Sequence, residues 1–203
     1  ATTVQFSNAW VWEGEALYHT AGSGRAVADP AAANGQAWLG QAGEAAAGAW
    51  FGPYDCSLLY PGSYQAIFWL RGAPGDPEVR LAELDVVDQQ GTRTLAGKTP
   101  VWTGDLTAGR YRPFILPFHY PDRGSACRTP GVSDGVELRT AFLATGDLYL
   151  DRVEVFSAPQ PFAASIAAPL PAAEGRYPLE VRYLDAAGNA PTRMLLPPRE
   201  RTR

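Results

Sequence analysis

Hydrophobic and polar residues alternate with a period of two along most of the first 157 residues. The clearest case lies between residues 62 and 71, where Tyr64, Ala66, Phe68 and Leu70 fall on one face. Such alternation is typical of a β-strand that buries one face. Turn signals containing Gly, Pro and Asp separate these short segments, and no helix-period segment of a dozen residues competes with them. The pattern therefore predicts an all-β protein, an antiparallel β-sandwich or barrel.

The composition changes after residue 157, where a stretch rich in Ala and Pro has the character of an extended linker. Alternation resumes at residues 177–183, and a Gly-Asn turn near residue 188 predicts a return strand at 192–196. Such a hairpin is not stable alone. The predicted parts are a sandwich in residues 1–157, a linker in 158–172, and a β-hairpin extension in 173–203 with a mobile tail from 197.

The stretch between Trp10 and His19 alternates as one strand, which places Glu13 and Glu15 on the same face. Two like charges that close together are unfavourable, and burying either one unpaired costs more still. Near the other end of the sandwich, Asp151 lies in register with apolar strand residues. We therefore expect these three acids to meet around a bound cation.

Composition excludes some partners. The net charge of −4, with both signs mixed, does not favour binding to nucleic acid. No window of about 18 apolar residues is present, which excludes a membrane-spanning helix. Cys56 and Cys127, the two cysteines, lie in turn-rich stretches and predict a disulfide, although two reduced thiols are the alternative.

Residues typical of catalysis are scarce. His19 and His119 are the two histidines, and neither lies in a zinc-ligand pattern. No nucleophile elbow, phosphate-binding loop or dinucleotide fingerprint follows a predicted strand. The sequence therefore predicts a protein that is not an enzyme.

The order of several motifs resembles the bacterial carbohydrate-binding modules, β-sandwiches of galactose-binding-like type. The motifs are Glu13-Gly14-Glu15, Gly24-Arg25 with Asp29, Gly52-Pro53-Tyr54, Pro61-Gly62-Ser63-Tyr64-Gln65-Ala66, and Leu150-Asp151-Arg152-Val153-Glu154-Val155. The resemblance covers roughly residues 8–157 and leaves the C-terminal segment unexplained. It implies a jelly-roll sandwich that binds glycan outside the cytoplasm.

In that family a Glu-x-Glu strand and an acid on the last strand commonly ligate a structural calcium ion. The resemblance carries this role onto Glu13, Glu15 and Asp151. Carboxylate oxygens are the ligands that Ca²⁺ prefers. The alternative is a set of solvated surface acids near Arg152 or Arg25. Gly14 stands where the motif more commonly has alanine, a difference expected to matter little at a small inward position.

Sugar binding needs an aromatic platform and directional polar groups. Two aromatic residues lie in predicted loops outside the core faces, Trp102 in residues 99–105 and Tyr120 before Pro121. Arg25, Asp29 and Asn34 lie in a predicted long loop, residues 19–35, and are the candidate hydrogen-bonding partners of a sugar. The alternative for each aromatic is packing at the rim. The tryptophans predicted to lie in the core are Trp12, Trp38 and Trp50.

Together these features predict a non-catalytic, extracellular or cell-surface glycan-binding module with structural calcium. The main alternative is a structural subunit of a cell-surface or filamentous assembly, which self-associates through terminal strands at residues 2–6 and 177–196. A fragment of a larger enzyme is a third possibility. Fold resemblance alone does not choose among them.

Overall fold

The computed structural model describes residues 9–55, 61–121 and 135–157, together with two strands near the C-terminus. The alternating segments of the first three ranges form strands, as their pattern predicts. In chain order these are β1 (Ala9–Glu13), β2 (Tyr18–His19), β3 (Arg25–Ala28), β4 (Gln36–Gly40), β5 (Gly48–Phe51), β6 (Pro53–Asp55), β7 (Gly62–Gly72), β8 (Arg80–Asp88), β9 (Arg93–Trp102), β10 (Arg112–Tyr120), β11 (Val136–Phe142) and β12 (Leu148–Ser157).

The strands form two antiparallel six-stranded sheets. In sheet A the order is β10-β7-β12-β4-β3, and β1 pairs with the same edge of β12 further along the strand. In sheet B the order is β2-β5-β11-β8-β9, and β6 also pairs with β11. The two sheets enclose one hydrophobic core. The predicted antiparallel β-sandwich is confirmed.

The core follows from the predicted alternation. In β7, Tyr64, Ala66, Phe68 and Leu70 are buried, and the residues between them are exposed or half-buried. Sheet B contributes its own inward set from β8 and β11, including Leu84 and Val86. Burial of each large apolar side chain contributes about 1.5–3 kcal/mol to folding.

The stretch between Trp10 and His19 is not one strand, contrary to the prediction. β1 ends at Glu13, residues Gly14–Ala16 form a 3-10 turn, and β2 belongs to sheet B. The turn carries the chain from one sheet to the other. Glu13 therefore lies on a strand and Glu15 in a turn, so the two do not share a strand face.

Two predicted loops contain strands. Residues 19–35 include β3, which pairs with β4 as a hairpin. Residues 99–105 begin inside β9, and a 3-10 turn at Thr103–Asp105 follows. Irregular pairing of β8 with β9 obscures the period of two, because shifts in register place the adjacent Leu81 and Ala82 both inside the core.

The chain divides into two compact units, Val4–Phe162 on one hand and Ala163–Arg203 with Ala1–Thr3 on the other. In the second unit, β13 (Tyr177–Arg182) pairs antiparallel with β14 (Arg193–Arg199), so the predicted C-terminal hairpin is confirmed. β14 includes residues 197–199, which the sequence assigned to the tail.

The structure does not test two of the predictions, strand pairing with another chain and the disulfide. Pairing of β13 or β14 with another chain stays a prediction. Cys56 and Cys127 lie outside the described residues, so their disulfide also stays a prediction. No helix in the described part of the chain is long and apolar enough to cross a membrane.

Candidate functional site

Three carboxylates approach one another where the 3-10 turn meets β12, and we call Glu13, Glu15 and Asp151 the acid cluster. Asp151 is 1% exposed, and its Oδ1 accepts a hydrogen bond of 3.0 Å from the backbone N–H of Ala33. Burial, and then the charges of Asp151 and Glu15, raise the pKa of Glu13. Burial also raises the pKa of Asp151. The charges of Asp151 and Glu15 thus act on Glu13, although the three residues are far apart in the sequence or lie in different elements.

Two oxygens of the acid cluster have no hydrogen-bond donor among the residues that the structure describes. Glu15 Oε1 accepts a bond of 2.6 Å from Asn34 Nδ2. Oε2 of Glu13 and Oε2 of Glu15 are buried without a hydrogen-bond partner in the described structure. A buried acceptor left unsatisfied costs about 1–3 kcal/mol, and more if it is charged. Both atoms are carboxylate oxygens, the kind of ligand that Ca²⁺ prefers.

The acid cluster does not form a ready-made metal cage. Within the described ranges, no three His, Cys, Asp or Glu side chains are grouped as metal ligands. Other groups hold the carboxylates. Arg152 forms an ion pair with Asp151, Ala33 donates to the other oxygen of Asp151, and Asn34 donates to Glu15. Binding of a cation would require some of these contacts to rearrange.

The assignment of Tyr120 to a glycan platform is wrong. Tyr120 is 1% exposed and belongs to the hydrophobic core. It continues the inward alternation of Leu116 and Phe118 in β10, whereas the sequence predicted a loop at this position. An aromatic ring covered by the core offers no face to a sugar.

Asp29 is also a poor sugar ligand, because its carboxylate is already bound. The residue is 5% exposed, and its Oδ2 accepts a hydrogen bond of 2.6 Å from Arg71 and another from Tyr111. Burial alone would raise the pKa of Asp29, but hydrogen bonds from Tyr111, Ala31 and Arg71 lower it. Asp29 therefore holds the Arg71 side chain on the outer face of sheet A. There the guanidinium Cζ of Arg71 lies 3.7 Å from the ring centroid of Tyr149.

The remaining predicted sugar ligands do not lie together. Arg25 Nη1 donates to Glu44 Oε2 at 2.9 Å, and Asn34 donates to Glu15 of the acid cluster. Trp102 is 38% exposed at the end of β9 and lies near the start of β10, because Asp105 is hydrogen-bonded to both Trp102 and Arg112. Tyr120 lies at the other end of β10, which is about 26 Å long from Arg112 to Tyr120 at 3.3 Å per residue. These residues do not form one binding surface.

A better aromatic surface lies on the outer face of sheet B. Tyr18, Phe51 and Tyr54 form an aromatic patch with ring centroids 5.7–5.9 Å apart. Tyr18 is 58% exposed and lies opposite Phe51 in the pairing of β2 with β5. One signal was present in the sequence, since an inward Trp50 requires Phe51 to point outward.

Ordered polar groups lie beside the aromatic patch. Glu137, in β11, is hydrogen-bonded to the Tyr54 hydroxyl, and its Oε1 is buried without a hydrogen-bond partner in the described structure. Burial raises the pKa of Glu137. Two residues along, Arg139 donates to both oxygens of Asp85 at 2.7 and 2.6 Å. Aromatic faces next to fixed polar groups are the combination that sugar recognition needs.

No protein-family model and no curated protein matches the sequence. Among solved structures, the chain is similar to Clostridium thermocellum xylanase 10B CBM22-1 and GH10 modules complexed with xylohexaose, at 13% identity and a TM-score of 0.42, covering 76% of this chain and 28% of that one. It is similar to the CBM22-1 xylan-binding domain from Paenibacillus barcinonensis Xyn10C, at 11% identity and 0.45, covering 81% and 100%. A CBM4 structure matches at 15% and 0.41, covering 75% and 94%.

The chain spans about a quarter of the length of the xylanase structure. These likenesses concern the arrangement of strands and assign no role to a residue of this chain. The sandwich itself rests on the two sheets, and the candidate site on the side chains described above.

Proposed function

We propose that this chain is a non-catalytic, extracellular glycan-binding module whose binding surface is the outer face of sheet B. The observation that carries the proposal is the aromatic patch, with its exposed Tyr18 beside fixed carboxylate and guanidinium groups. An exposed aromatic face packs against the C–H face of a sugar ring. Glu137 is 4% exposed, so its part is to hold the Tyr54 hydroxyl in place beside the patch.

The polar groups are held before ligand binds. Arg139 and Asp85 form a two-bond fork, and the Tyr54 hydroxyl is bound to Glu137. Groups already fixed in place lose little conformational entropy on binding. The charges of Arg139 and Asp85 cancel, which favours a neutral polysaccharide over a strongly charged one.

Replacement of Tyr18 by alanine is expected to weaken glycan binding at least about tenfold, because it removes the most exposed ring of the patch. A glycan array would identify the ligand, and calorimetry with that ligand would give the dissociation constants. Val11→Ala is the matched control, since Val11 is 50% exposed on sheet A. It should bind as the wild type does.

The outcome distinguishes the two aromatic surfaces. A loss of binding in Trp102→Ala with none in Tyr18→Ala would move the site to the end of β9. An array without any bound glycan would contradict the proposed function itself.

We further propose that the acid cluster holds a structural calcium ion. Glu13, Glu15 and Asp151 would supply carboxylate oxygens, and backbone carbonyls or water would complete the six to eight ligands that Ca²⁺ takes. The unpartnered Oε2 atoms of both glutamates support this proposal. The ion would supply positive charge that ties the 3-10 turn to β12.

Chelation is expected to lower the melting temperature of the calcium-loaded protein by about 5–10 °C. The estimate follows from about 2.7 kcal/mol of binding free energy at a hundredfold excess over Kd and 2–4 °C per kcal/mol at this chain length. Asp151→Asn should abolish this response in a thermal melt with and without EDTA. Glu44→Gln, a change at an exposed acid outside the cluster, should retain it. Unchanged melting of the wild type after chelation would exclude the calcium site.

A further inference from the structure

The turn between β8 and β9, residues Asp88 to Gly91, has a strained backbone, and we call it the β8–β9 turn. The N–H of Gly91 donates to the carbonyl oxygen of Asp88 at 3.0 Å, and both central residues have positive φ, 52° at Gln89 and 57° at Gln90. These are the features of a type I′ turn, which normally takes Gly, Asn or Asp because they tolerate positive φ. The needs of the turn therefore do not explain two glutamines at these positions.

Surrounding contacts hold the β8–β9 turn in this conformation. Asp88 is fully buried, and its carboxylate accepts hydrogen bonds from Nε of Arg93 at 2.7 Å and from Nη2. Thr92 donates to the carbonyl oxygen of Gln89 from its backbone N–H at 3.2 Å and from its hydroxyl at 2.7 Å. The strain persists because these contacts fix both ends of the turn. Gln90 is exposed and Gln89 is half-buried, so both can meet a ligand.

The β8–β9 turn lies against the outer face of sheet B. Arg139 of β11 is on that face, where its guanidinium binds Asp85 of β8. A Cβ on Gly91 would lie 3.0 Å from Nη1 of this guanidinium, so the turn contacts the polar group that borders the aromatic patch. Strand β6, which carries Tyr54, is separated from β8 by β11 alone, a distance of about 10 Å at two strand spacings.

Strained residues are concentrated around this surface. Among the described residues, four other than glycine have positive φ, and three of them, Tyr54, Gln89 and Gln90, lie in the patch or next to the arginine beside it. The fourth, Ala144, lies beyond the other end of β11. Strain of this kind is typical of binding sites, where the placement of a side chain outweighs its cost in stability.

We propose that Gln89 and Gln90 are specificity-determining residues of the glycan site, and that their amides bind hydroxyl groups of a sugar unit next to the one on the aromatic patch. This inference rests on the glycan-binding surface proposed above. A side-chain amide offers two donors and an acceptor, which suit neighbouring sugar hydroxyls. A single sugar ring does not span the distance from Tyr54 to the β8–β9 turn, so the ligand is a neutral oligosaccharide.

The double variant Gln89→Asn with Gln90→Gly tests this role. Asn-Gly is the sequence that a type I′ turn prefers, so the variant keeps the turn, relieves its strain, shortens one amide and removes the other. Its urea midpoint should equal or exceed that of the wild type. Its affinity for neutral oligosaccharides should nevertheless fall about tenfold, because hydrogen bonds to the ligand are lost. Calorimetry with xylo-, cello- and malto-oligosaccharides would measure this ratio.

Ala144→Gly is the matched control, since it relieves the same kind of strain away from the patch. It should bind these oligosaccharides as the wild type does, and weakening equal to that of the double variant would overturn the role of the two amides.

The other outcomes separate this inference from the proposed function. Unchanged affinity in the double variant, with weaker binding in Tyr18→Ala, overturns the role of the β8–β9 turn and leaves the glycan site intact. A lower urea midpoint together with weaker binding also overturns it, because the loss would then follow from a disturbed turn. Absence of binding by the wild type to every oligosaccharide overturns the glycan site and this inference with it.

Discussion

Replacement of Trp50 by alanine is expected to lower the free energy of unfolding by about 3–5 kcal/mol. Trp50 is fully buried on the inner face of β5, where its ring stacks on Phe142 with centroids 5.1 Å apart. Gly40 leaves room for both rings, because a Cβ there would lie 2.8 Å from Trp50 and 2.7 Å from Phe142. Neighbours this close-packed relax only partly, so a cavity would remain.

Urea denaturation monitored by circular dichroism would measure the loss. Trp50→Phe is the matched variant, because it keeps an aromatic ring and removes the indole N–H, which donates to Ser23 O at 3.2 Å and Ser23 Oγ at 3.1 Å. This variant should lose about 1–3 kcal/mol, the cost of buried acceptors left without a donor together with a smaller ring. Equal losses in both variants would show that the N–H, not the packing of the ring, carries the effect.

The parts of the fold that sequence predicts well are those where a single rule decides. β7 is buried on one face only, so its period of two identifies the strand and its core residues. The period of two also identifies the strands of the C-terminal hairpin, where Leu179 pairs with Leu196 and Val181 with Met194. In these segments local pattern and tertiary structure agree.

The parts that sequence misses are those where tertiary contacts override the period. Alternation of Glu13 with Glu15 suggests one strand, yet the backbone of Leu150 lies against Gly14 and the chain turns there. Trp102 and Tyr120 both looked like loop aromatics, but Tyr120 is the last inward residue of β10. For Gly14 the local pattern carries no signal, because the turn depends on a strand distant in sequence. For Tyr120 a signal was present, because the residue continues the alternation of Leu116 and Phe118.

The aromatic patch was also not predictable from the sequence. Tyr18, Phe51 and Tyr54 lie in three short strands, β2, β5 and β6. β2 pairs with β5, and β5 and β6 pair with different parts of β11. Each residue alone is unremarkable in the sequence. Their proximity is created by the order of strands in sheet B, which the alternation of residues does not reveal.

The acid cluster and the aromatic patch are close in sequence through the 3-10 turn. Glu15 lies in the turn, Leu17 enters the core, and Tyr18 begins β2 on the outer face of sheet B. The turn therefore positions a proposed calcium ligand and the most exposed ring of the patch together. A change that displaces the turn should affect both.

Gly14→Ala is that change, and it should destabilise the protein by about 2–3 kcal/mol through overpacking. A Cβ on Gly14 would lie 2.2 Å from the carbonyl oxygen of Leu150 and 3.1 Å from that of Asp151. Both atoms belong to the backbone of β12, so they cannot move aside as the end of a flexible side chain can. The expectation that alanine would matter little here is therefore wrong for this chain.

The expected losses in Gly14→Ala are a lower urea midpoint, a smaller thermal response to EDTA and weaker glycan binding. Gly97→Ala is the matched control, since a Cβ there meets nothing within 4 Å. Its stability should equal or slightly exceed that of the wild type, because alanine restricts the unfolded chain more than glycine does. Wild-type stability in Gly14→Ala would mean that the turn can withdraw from β12 at little cost. In that case calcium and glycan binding would not depend on the close approach of Gly14 to Leu150.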